Sequence, residues 1–172
     1  MRDSYLPWDT SGHLQTPTNV TRICRAILPE SENGIQQIVY YQAGVGTENN
    51  LFDHVVGGGT GAGLSEHIRE GYGFLANNYQ AGDEIFLIGF SRGAFTARSI
   101  AGLISSIGLL TKRGLTHFYE IFKDWENQIT PNYVSKFPDV PFPNRPPITE
   151  PAYAQELEKV RHLYEQKVHW SS

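Results

Sequence analysis

An apolar run leading into a Gly-x-Ser-x-Gly motif decides the fold of this chain: residues 85–93 read Ile85-Phe86-Leu87-Ile88-Gly89-Phe90-Ser91-Arg92-Gly93. A run that is apolar on both faces is typical of a buried parallel strand. Small and apolar residues follow at helical spacing from Ala94 to Ile104. Strand, tight turn and helix are the setting in which this motif presents a nucleophilic serine. The stretch therefore predicts that Ser91 is a nucleophile at a strand-to-helix turn.

The residues beside Ser91 have predicted roles of their own. Gly89 and Gly93 lack Cβ atoms, so strand and helix can approach each other around a serine with an unfavourable backbone conformation. The backbone amide of Arg92 would open the helix and donate to the oxyanion of a reacting carbonyl. The alternative is a tight turn with an incidental serine, because the chain contains 17 glycines.

Composition bounds the class of protein. The 172 residues suit one globular domain, with 40% hydrophobic and 19% charged residues. A formal net charge of −4 and the lack of a basic cluster argue against nucleic acid as the main partner. Cys24 is the single cysteine, so no internal disulfide is expected, and the thiol is predicted to be a buried apolar group.

Targeting signals are weak or missing in the sequence. Residues 1–8 lack the basic start and apolar core of a secretory signal peptide. The longest apolar stretch, residues 100–110, is too short to cross a bilayer. A cytoplasmic location is therefore the default expectation, and the sequence predicts no oligomeric state.

The chain divides into four predicted segments. Residues 1–17 form an irregular lead-in, residues 18–128 a core with the Ser91 turn, residues 129–150 an excursion or lid, and residues 151–172 a C-terminal helix. The excursion is predicted because residues 129–151 contain seven of the ten prolines.

Within these segments, apolar periodicity predicts alternating helices and strands. Helices are expected from Asn19 to Pro29 and over residues 64–79, 94–104, 114–127 and 152–168, and strands over residues 34–42 and 85–88. Because parallel strands need crossover connections, this order predicts an α/β fold in which helices flank a parallel sheet.

An acid and a base for Ser91 are harder to find. The histidines that follow it are His117, His162 and His169, and none is expected in a loop after a strand. The acids are Asp124, Glu126, Asp139 and the carboxylates of residues 150–165. Asp124 and His162 are the candidates put forward as acid and base, and a rearranged triad using His54 or His67 is a further alternative.

A glycine-rich loop before the second helix offers a rival hypothesis. Residues 57–63 read Gly-Gly-Gly-Thr-Gly-Ala-Gly and are similar to the phosphate loop of tubulin-type nucleotide-binding proteins. However, the chain has no Gly-x-x-x-x-Gly-Lys-Ser/Thr motif, and loop glycines commonly allow close approach to a neighbouring backbone. No cofactor and no metal site is predicted.

Several motifs together resemble one known family. It is a large domain-of-unknown-function group of α/β hydrolases, frequent in fungi and bacteria, that includes phospholipase effectors of type VI secretion. The resemblance covers about residues 16–125, and the motifs that carry it are residues 19–22 (Asn-Val-Thr-Arg), 41–47 (Tyr-Gln-Ala-Gly-Val-Gly-Thr), the glycine loop, 68–72 (Ile-Arg-Glu-Gly-Tyr), 82–85 (Gly-Asp-Glu-Ile) and 89–98 (Gly-Phe-Ser-Arg-Gly-Ala-Phe-Thr-Ala-Arg).

The resemblance implies an incomplete α/β-hydrolase fold. Family members begin with a strand that ends in Asp-Gly-Thr, and later carry Trp-Asp-Thr and a histidine in a glycine-rich setting, which this chain lacks. It therefore looks like a truncated fungal-type member, with the first strand and the C-terminal strands missing.

The function that the resemblance implies is ester hydrolysis. By that comparison, the chain is part of a carboxylic ester hydrolase or phospholipase-like enzyme acting through an acyl-serine at Ser91, weak or inactive alone. The substrate would be an ester or phospholipid, with peripheral membrane contact in the intact protein. The alternative is a non-catalytic interaction module derived from the hydrolase fold.

Overall fold

A computed structural model describes residues 16–43, 62–134 and 148–162 of the chain. Within these ranges the helices are α1 (Asn19–Ala26), α2 (Ala62–Asn78), α3 (Arg92–Ile107), α4 (Lys112–Leu115), α5 (Phe118–Asn127) and α6 (Pro151–Glu158). The described residues form two compact units. Residues 16–43, 62–67 and 88–97 belong to the first unit, and residues 68–87, 98–134 and 148–162 to the second.

In the first unit, α1 is stabilised at its start by a threonine cap. The Thr18 side chain accepts a hydrogen bond from the Thr21 amide, which satisfies one of the N–H groups that a helix start leaves without a partner. Thr21 is 2% exposed, and its hydroxyl lies 3.1 Å from the Tyr41 hydroxyl. The helix predicted before Pro29 is therefore confirmed, and its buried contact to the rest of the unit is polar.

The strand predicted over residues 34–42 does not form. The backbone of this segment instead folds back on residues 29–31, where the Gln37 amide donates to the Pro29 carbonyl and the Ser31 amide to the Ile35 carbonyl. Gly34 allows this reversal because its φ is +78°. One antiparallel bridge, between Glu30 and Gln36, results. A local turn satisfies some of the backbone N–H and C=O groups that would have paired with a neighbouring strand in a sheet.

The predicted parallel sheet flanked by helices is wrong for the described residues. Helices account for 54% of them, 3% lie in isolated bridges and no sheet forms. Residues 84–90 belong to no helix or strand, and no hydrogen bond joins residues 85–88 to another described backbone segment. Phe86 is 79% and Ile88 54% exposed, whereas a central strand would bury both. Apolar content predicted burial, but burial of a strand requires neighbouring strands.

The core of the second unit is built from helix faces. The buried apolar side chains come from α2, α3, α5 and α6, at the i, i+3 and i+4 spacings that place residues on one face. They are Ile68, Tyr72, Ala76, Ile100, Leu103, Ile104, Ile107, Ile121, Phe122, Tyr153 and Leu157, joined by Leu109, Leu110 and Val160 from the connections. The helices predicted for residues 64–79 and 94–104 are confirmed, since α2 covers residues 64–78 and α3 covers residues 94–104.

Tyr72 fixes the turn that follows α3. Its side chain is fully buried, and its hydroxyl donates to the Gly108 carbonyl at 2.8 Å and accepts from the Leu110 amide at 3.0 Å. The Tyr72 ring stacks on Phe118 with 4.5 Å between centroids. One side chain of α2 therefore satisfies two backbone groups at the end of α3 and packs against the start of α5.

The residues after α6 close this turn from the other side, and we call these contacts the 109–162 clamp. The Thr111 amide and hydroxyl both donate to the Val160 carbonyl, at 2.8 and 3.0 Å, and the His162 amide donates to the Leu109 carbonyl at 2.7 Å. Glycine is required at position 114, because a Cβ there would collide with the Val160 carbonyl. The clamp holds the end of α6 against the loop between α3 and α4.

Two helix boundaries differ from the prediction. The helix expected over residues 114–127 is split into α4 and α5 by a turn at Thr116 and His117. The final helix ends at Glu158. The Val160 amide still donates to the Leu157 carbonyl, but the Val160 carbonyl and the His162 amide bond within the 109–162 clamp. Residues 163–168 of that prediction lie outside the described residues. None of the described helices is long and apolar enough to cross a membrane.

Candidate active site at Ser91

Ser91 lies at a sharp turn between residues 84–90, which belong to no helix or strand, and α3. Its φ is +54°, in the left-handed region that residues with a Cβ adopt only at a cost of about 1–3 kcal/mol. The turn is closed by hydrogen bonds from the Gly93 amide to the Phe90 carbonyl at 2.9 Å and from the Ala94 amide to the Ser91 carbonyl at 3.0 Å. The backbone thus holds Ser91 in a strained and exposed position.

The two glycines of the motif have different surroundings. A Cβ placed on Gly89 would collide with the carbonyl of Gly93, so the extended segment can pass this close to α3 only without a side chain. At Gly93 a Cβ would meet no heavy atom within 4 Å. The close approach that shapes the turn is therefore made at Gly89.

Arg92 begins α3 directly after the serine. As the first helical residue it carries an amide of the first turn, where N–H groups point out along the axis and attract negative charge. Its carbonyl accepts from the hydroxyl of Thr96, a residue only 7% exposed. This hydrogen bond fixes the first turn of α3 next to Ser91.

The described histidines have the following partners. His67, on α2, shares the first unit with Ser91, and its carbonyl accepts from the Gln42 side chain at 3.4 Å. In the second unit, His117 precedes α5 without a capping bond from its side chain, and the His162 ring lies edge-on to Tyr79. His54 and His169 lie outside the described residues. No hydrogen bond to the Ser91 hydroxyl comes from the described part of the chain.

The carboxylate of Asp124 accepts hydrogen bonds from two tyrosines. It is 5% exposed, and its Oδ1 and Oδ2 each accept a tyrosine hydroxyl at 3.2 Å, from Tyr133 and Tyr153 respectively. These bonds link α5, the turn after it and α6, all within the second unit. They support a structural role for this carboxylate, which the sequence put forward as the acid.

The other predicted acids lie on exposed helix faces or outside the described residues. Glu126 forms an ion pair with Lys123, and Glu156 and Glu158 form ion pairs with Lys159 and Arg161. Glu150 precedes α6 without a capping bond from its side chain. Asp139 and Glu165 lie outside the described residues, as do residues 57–61 of the glycine loop. In the ranges that the structure describes, no cluster of three His, Cys, Asp or Glu side chains can hold a metal ion.

Sequence reasoning missed two features. The tyrosine pair on Asp124 involves residues 9 and 29 positions away, and periodicity carries no signal for hydrogen bonds of that kind. The exposure of Phe90 and Phe95 was also missed, because the apolar character of a residue gives no signal for exposure.

Comparisons with known proteins place the chain in one family. The family described as type VI secretion, Tle1-like phospholipase effector, catalytic domain matches residues 7–170. An uncharacterized protein of Saccharomyces cerevisiae, YEL023C, is 34% identical over an alignment that covers 67% of this chain. The chain spans about a fifth of that relative, since the alignment covers 19% of its length. No solved structure matches significantly.

Proposed function

Because the chain belongs to the family of Tle1-like phospholipase effector catalytic domains, we propose that it carries the nucleophile of a serine hydrolase that cleaves carboxylic ester bonds in phospholipids. Ser91 is the proposed nucleophile. The observation that carries the proposal is the strained backbone of Ser91 at the start of α3, with Gly89 in close contact behind it. This backbone conformation and the exposure of Ser91 are what a serine that accepts an acyl group at a strand-to-helix turn requires.

In the proposed reaction the Ser91 oxygen attacks the ester carbonyl while its proton passes to a base. The carbonyl oxygen becomes an oxyanion, and the Arg92 amide in the first turn of α3 stabilises that charge. Collapse of the intermediate expels the alcohol portion of the lipid and leaves an acyl group on Ser91. Water then releases the fatty acid and regenerates the serine.

The base determines how fast this reaction can run. No described residue hydrogen-bonds the Ser91 hydroxyl, so in this arrangement the oxygen keeps the low nucleophilicity of an ordinary alcohol. His67 is the described histidine that lies in the same unit as Ser91. We therefore expect slow turnover of simple esters and correspondingly slow modification of Ser91 by serine-directed reagents, with both rates above those of the Ser91→Ala variant.

Labelling with a fluorophosphonate tests the proposal directly. The reagent is expected to modify the folded chain at Ser91, with no modification of the Ser91→Ala variant. Ser99, which also lies on α3, provides a matched control because Ser99→Ala removes a hydroxyl and leaves the turn intact. Peptide mapping that finds no label on Ser91 in a chain with native helix content would rule out the nucleophile.

A non-catalytic interaction module is the second candidate. The exposed apolar side chains of the first unit favour it, since Ile35, Ile38 and Phe90 are each more than 60% exposed. A module of this kind would bind a partner through these side chains and would leave Ser91 unlabelled. The same labelling experiment therefore separates the two candidates.

A further inference from the structure

A buried hydroxyl lies near the start of α3, at Thr96. This residue is 7% exposed, and the other buried positions of α3 carry aliphatic side chains only: Ile100, Leu103, Ile104 and Ile107. Valine has nearly the shape of threonine and would place a methyl group where the hydroxyl lies, with no polar atom to bury. Packing alone therefore does not account for a threonine at this position.

The acceptor of this hydroxyl lies in the turn that holds Ser91. Thr96 Oγ1 donates to the Arg92 carbonyl at 3.3 Å, and the Thr96 side chain has no other hydrogen bond to the described residues. A buried hydroxyl that lost its acceptor would remain without a partner, which is unfavourable. Burial of Thr96 therefore favours the orientation of the Arg92 carbonyl seen in the structure.

The Arg92 carbonyl and the Gly93 amide belong to one planar peptide group, and hydrogen bonds hold both of its ends. The carbonyl accepts from Thr96, and the Gly93 amide donates to the Phe90 carbonyl at 2.9 Å. A donor at the carbonyl end polarises the peptide group and strengthens the hydrogen bond that its N–H makes. The two bonds together span Ser91, which lies between Phe90 and Arg92.

Ser91 requires support from its surroundings because its backbone is strained. Its φ of +54° lies in the left-handed region, where a residue with a Cβ stays only if neighbouring contacts hold it there. Relaxation of Ser91 to a negative φ would rotate the adjoining peptide groups and separate the Gly93 amide from the Phe90 carbonyl. A contact that opposes this separation keeps Ser91 in its present conformation.

We propose that Thr96 is a positioning residue for Ser91. Its hydroxyl stabilises the Arg92–Gly93 peptide group, and that group closes the turn around the serine that attacks the ester. The role needs a hydroxyl, which serine would supply and valine would not. The inference rests on the proposed function, since the position of Ser91 matters for a reaction in which its oxygen is the nucleophile.

Two substitutions at Thr96 separate positioning from packing. Thr96→Val removes the hydroxyl and keeps the shape, so we expect an unchanged or higher midpoint of urea unfolding. Fluorophosphonate labelling of Ser91 should nevertheless become about five-fold slower, which is the factor that one hydrogen bond of ordinary strength is worth. Thr96→Ser keeps the hydroxyl and removes a buried methyl group, so the midpoint should fall while labelling stays close to the native rate.

Ser106→Ala is the matched control on the same helix. Ser106 Oγ donates to the Gly102 carbonyl at 2.9 Å, which is the same type of bond, four residues back along the chain, at the other end of α3. Its loss should leave the labelling rate of Ser91 unchanged.

Hydrogen exchange of the Gly93 amide, followed by NMR, provides a readout that needs no reaction. Thr96→Val should make this exchange about five-fold faster, because the bond to the Phe90 carbonyl opens more often. Thr96→Ser should restore the native rate. The Leu103 amide, farther along α3, should exchange at the same rate in all three proteins.

Several outcomes would overturn the proposal. Native labelling or native Gly93 exchange in Thr96→Val would do so, as would equal slowing by Thr96→Val and either Thr96→Ser or Ser106→Ala. An unfolding midpoint that Thr96→Val lowers more than Thr96→Ser would assign the hydroxyl to the stability of the fold instead. If Ser91 is not labelled even in the native chain, the proposed reaction fails alone, and exchange of the Gly93 amide still decides whether Thr96 holds the turn.

Discussion

Aromatic side chains have opposite environments on the helices of the second unit and in the non-helical segment before Ser91. On the helices, Tyr72 and Tyr153 are fully buried and Phe122 is 1% exposed, whereas Phe86 and Phe90 in the segment before Ser91 are 79% and 81% exposed. The difference follows from backbone conformation. Helices satisfy their own hydrogen bonds and bury one face, while an extended segment needs a partner on each side for both purposes. Apolar side chains therefore form a core on the helices and an exposed surface in the segment before Ser91.

The largest expected effect is on the turn in the first unit. Gly89→Ala is expected to reduce labelling of Ser91 to the level of Ser91→Ala, because the added Cβ would collide with the Gly93 carbonyl and displace the serine. Gly93→Ala should retain labelling, since a Cβ at that position meets no neighbour. Fluorophosphonate labelling of the two variants measures the difference. Equal labelling would show that close packing at Gly89 does not position Ser91.

The second unit can be tested at Tyr72. Tyr72→Ala should lower the free energy of unfolding by about 3–5 kcal/mol, because it leaves a cavity in the helical core. Tyr72→Phe should cost about 1–3 kcal/mol, since the Gly108 carbonyl and Leu110 amide would lose a buried partner. Urea unfolding followed by circular dichroism measures both. Tyr119→Phe, at a position 47% exposed, should change stability by no more than about 0.5 kcal/mol.

A smaller effect is expected at Asp124. Asp124→Asn should lower the free energy of unfolding by about 1–3 kcal/mol, because an amide nitrogen replaces one of the oxygens that accept a tyrosine hydroxyl. Glu126→Gln, on the exposed side of α5, should cost less than about 1 kcal/mol. Urea unfolding of both variants provides the comparison. If Asp124→Asn left stability unchanged while abolishing Ser91 labelling, the carboxylate would serve catalysis and the structural role would be wrong.

The smallest effect concerns Cys24 in the first unit. Partial burial raises the pKa of its thiol, so less thiolate is present at a given pH and alkylation should be slower than in the unfolded chain. The rate of iodoacetamide modification in buffer and in urea, at pH 8, measures this difference. Equal rates would indicate that α1 does not shield the thiol from solvent.

The sequence predicted local structure better than it predicted contacts between distant segments of the chain. Periodicity located α1, α2 and α3, because a helix depends on residues three and four positions apart. The strand predicted over residues 34–42 failed, since Gly34 and Ser31 provide a turn whose hydrogen bonds compete with those of a sheet. The prediction of a buried strand over residues 85–88 failed for a related reason. Apolar content does not specify which segment of the chain would pair with such a strand.

At the candidate site, too, the sequence predicted the local backbone but not the contacts between distant residues. The spacing of Gly89 and Ser91 predicted a strained serine at a helix start, and the structure has that conformation. The proposed pairing of Asp124 with His162 remains a prediction, although the tyrosine hydroxyls on Asp124 could not have been read from spacing. A base for Ser91 depends on contacts between distant positions, which a single sequence does not encode in a readable pattern.

The 109–162 clamp has a consequence for the order of folding. Its hydrogen bond between Thr111 and Val160 joins residues 49 positions apart, so a long loop must close before the bond can form. Closing such a loop lowers the conformational entropy of the chain before any stabilising contact forms, which makes contacts of this kind slow to form. We therefore expect the helices of the second unit to form before the clamp does. Amide protons of Thr111 and His162 should be the last in this unit to gain protection from exchange during refolding.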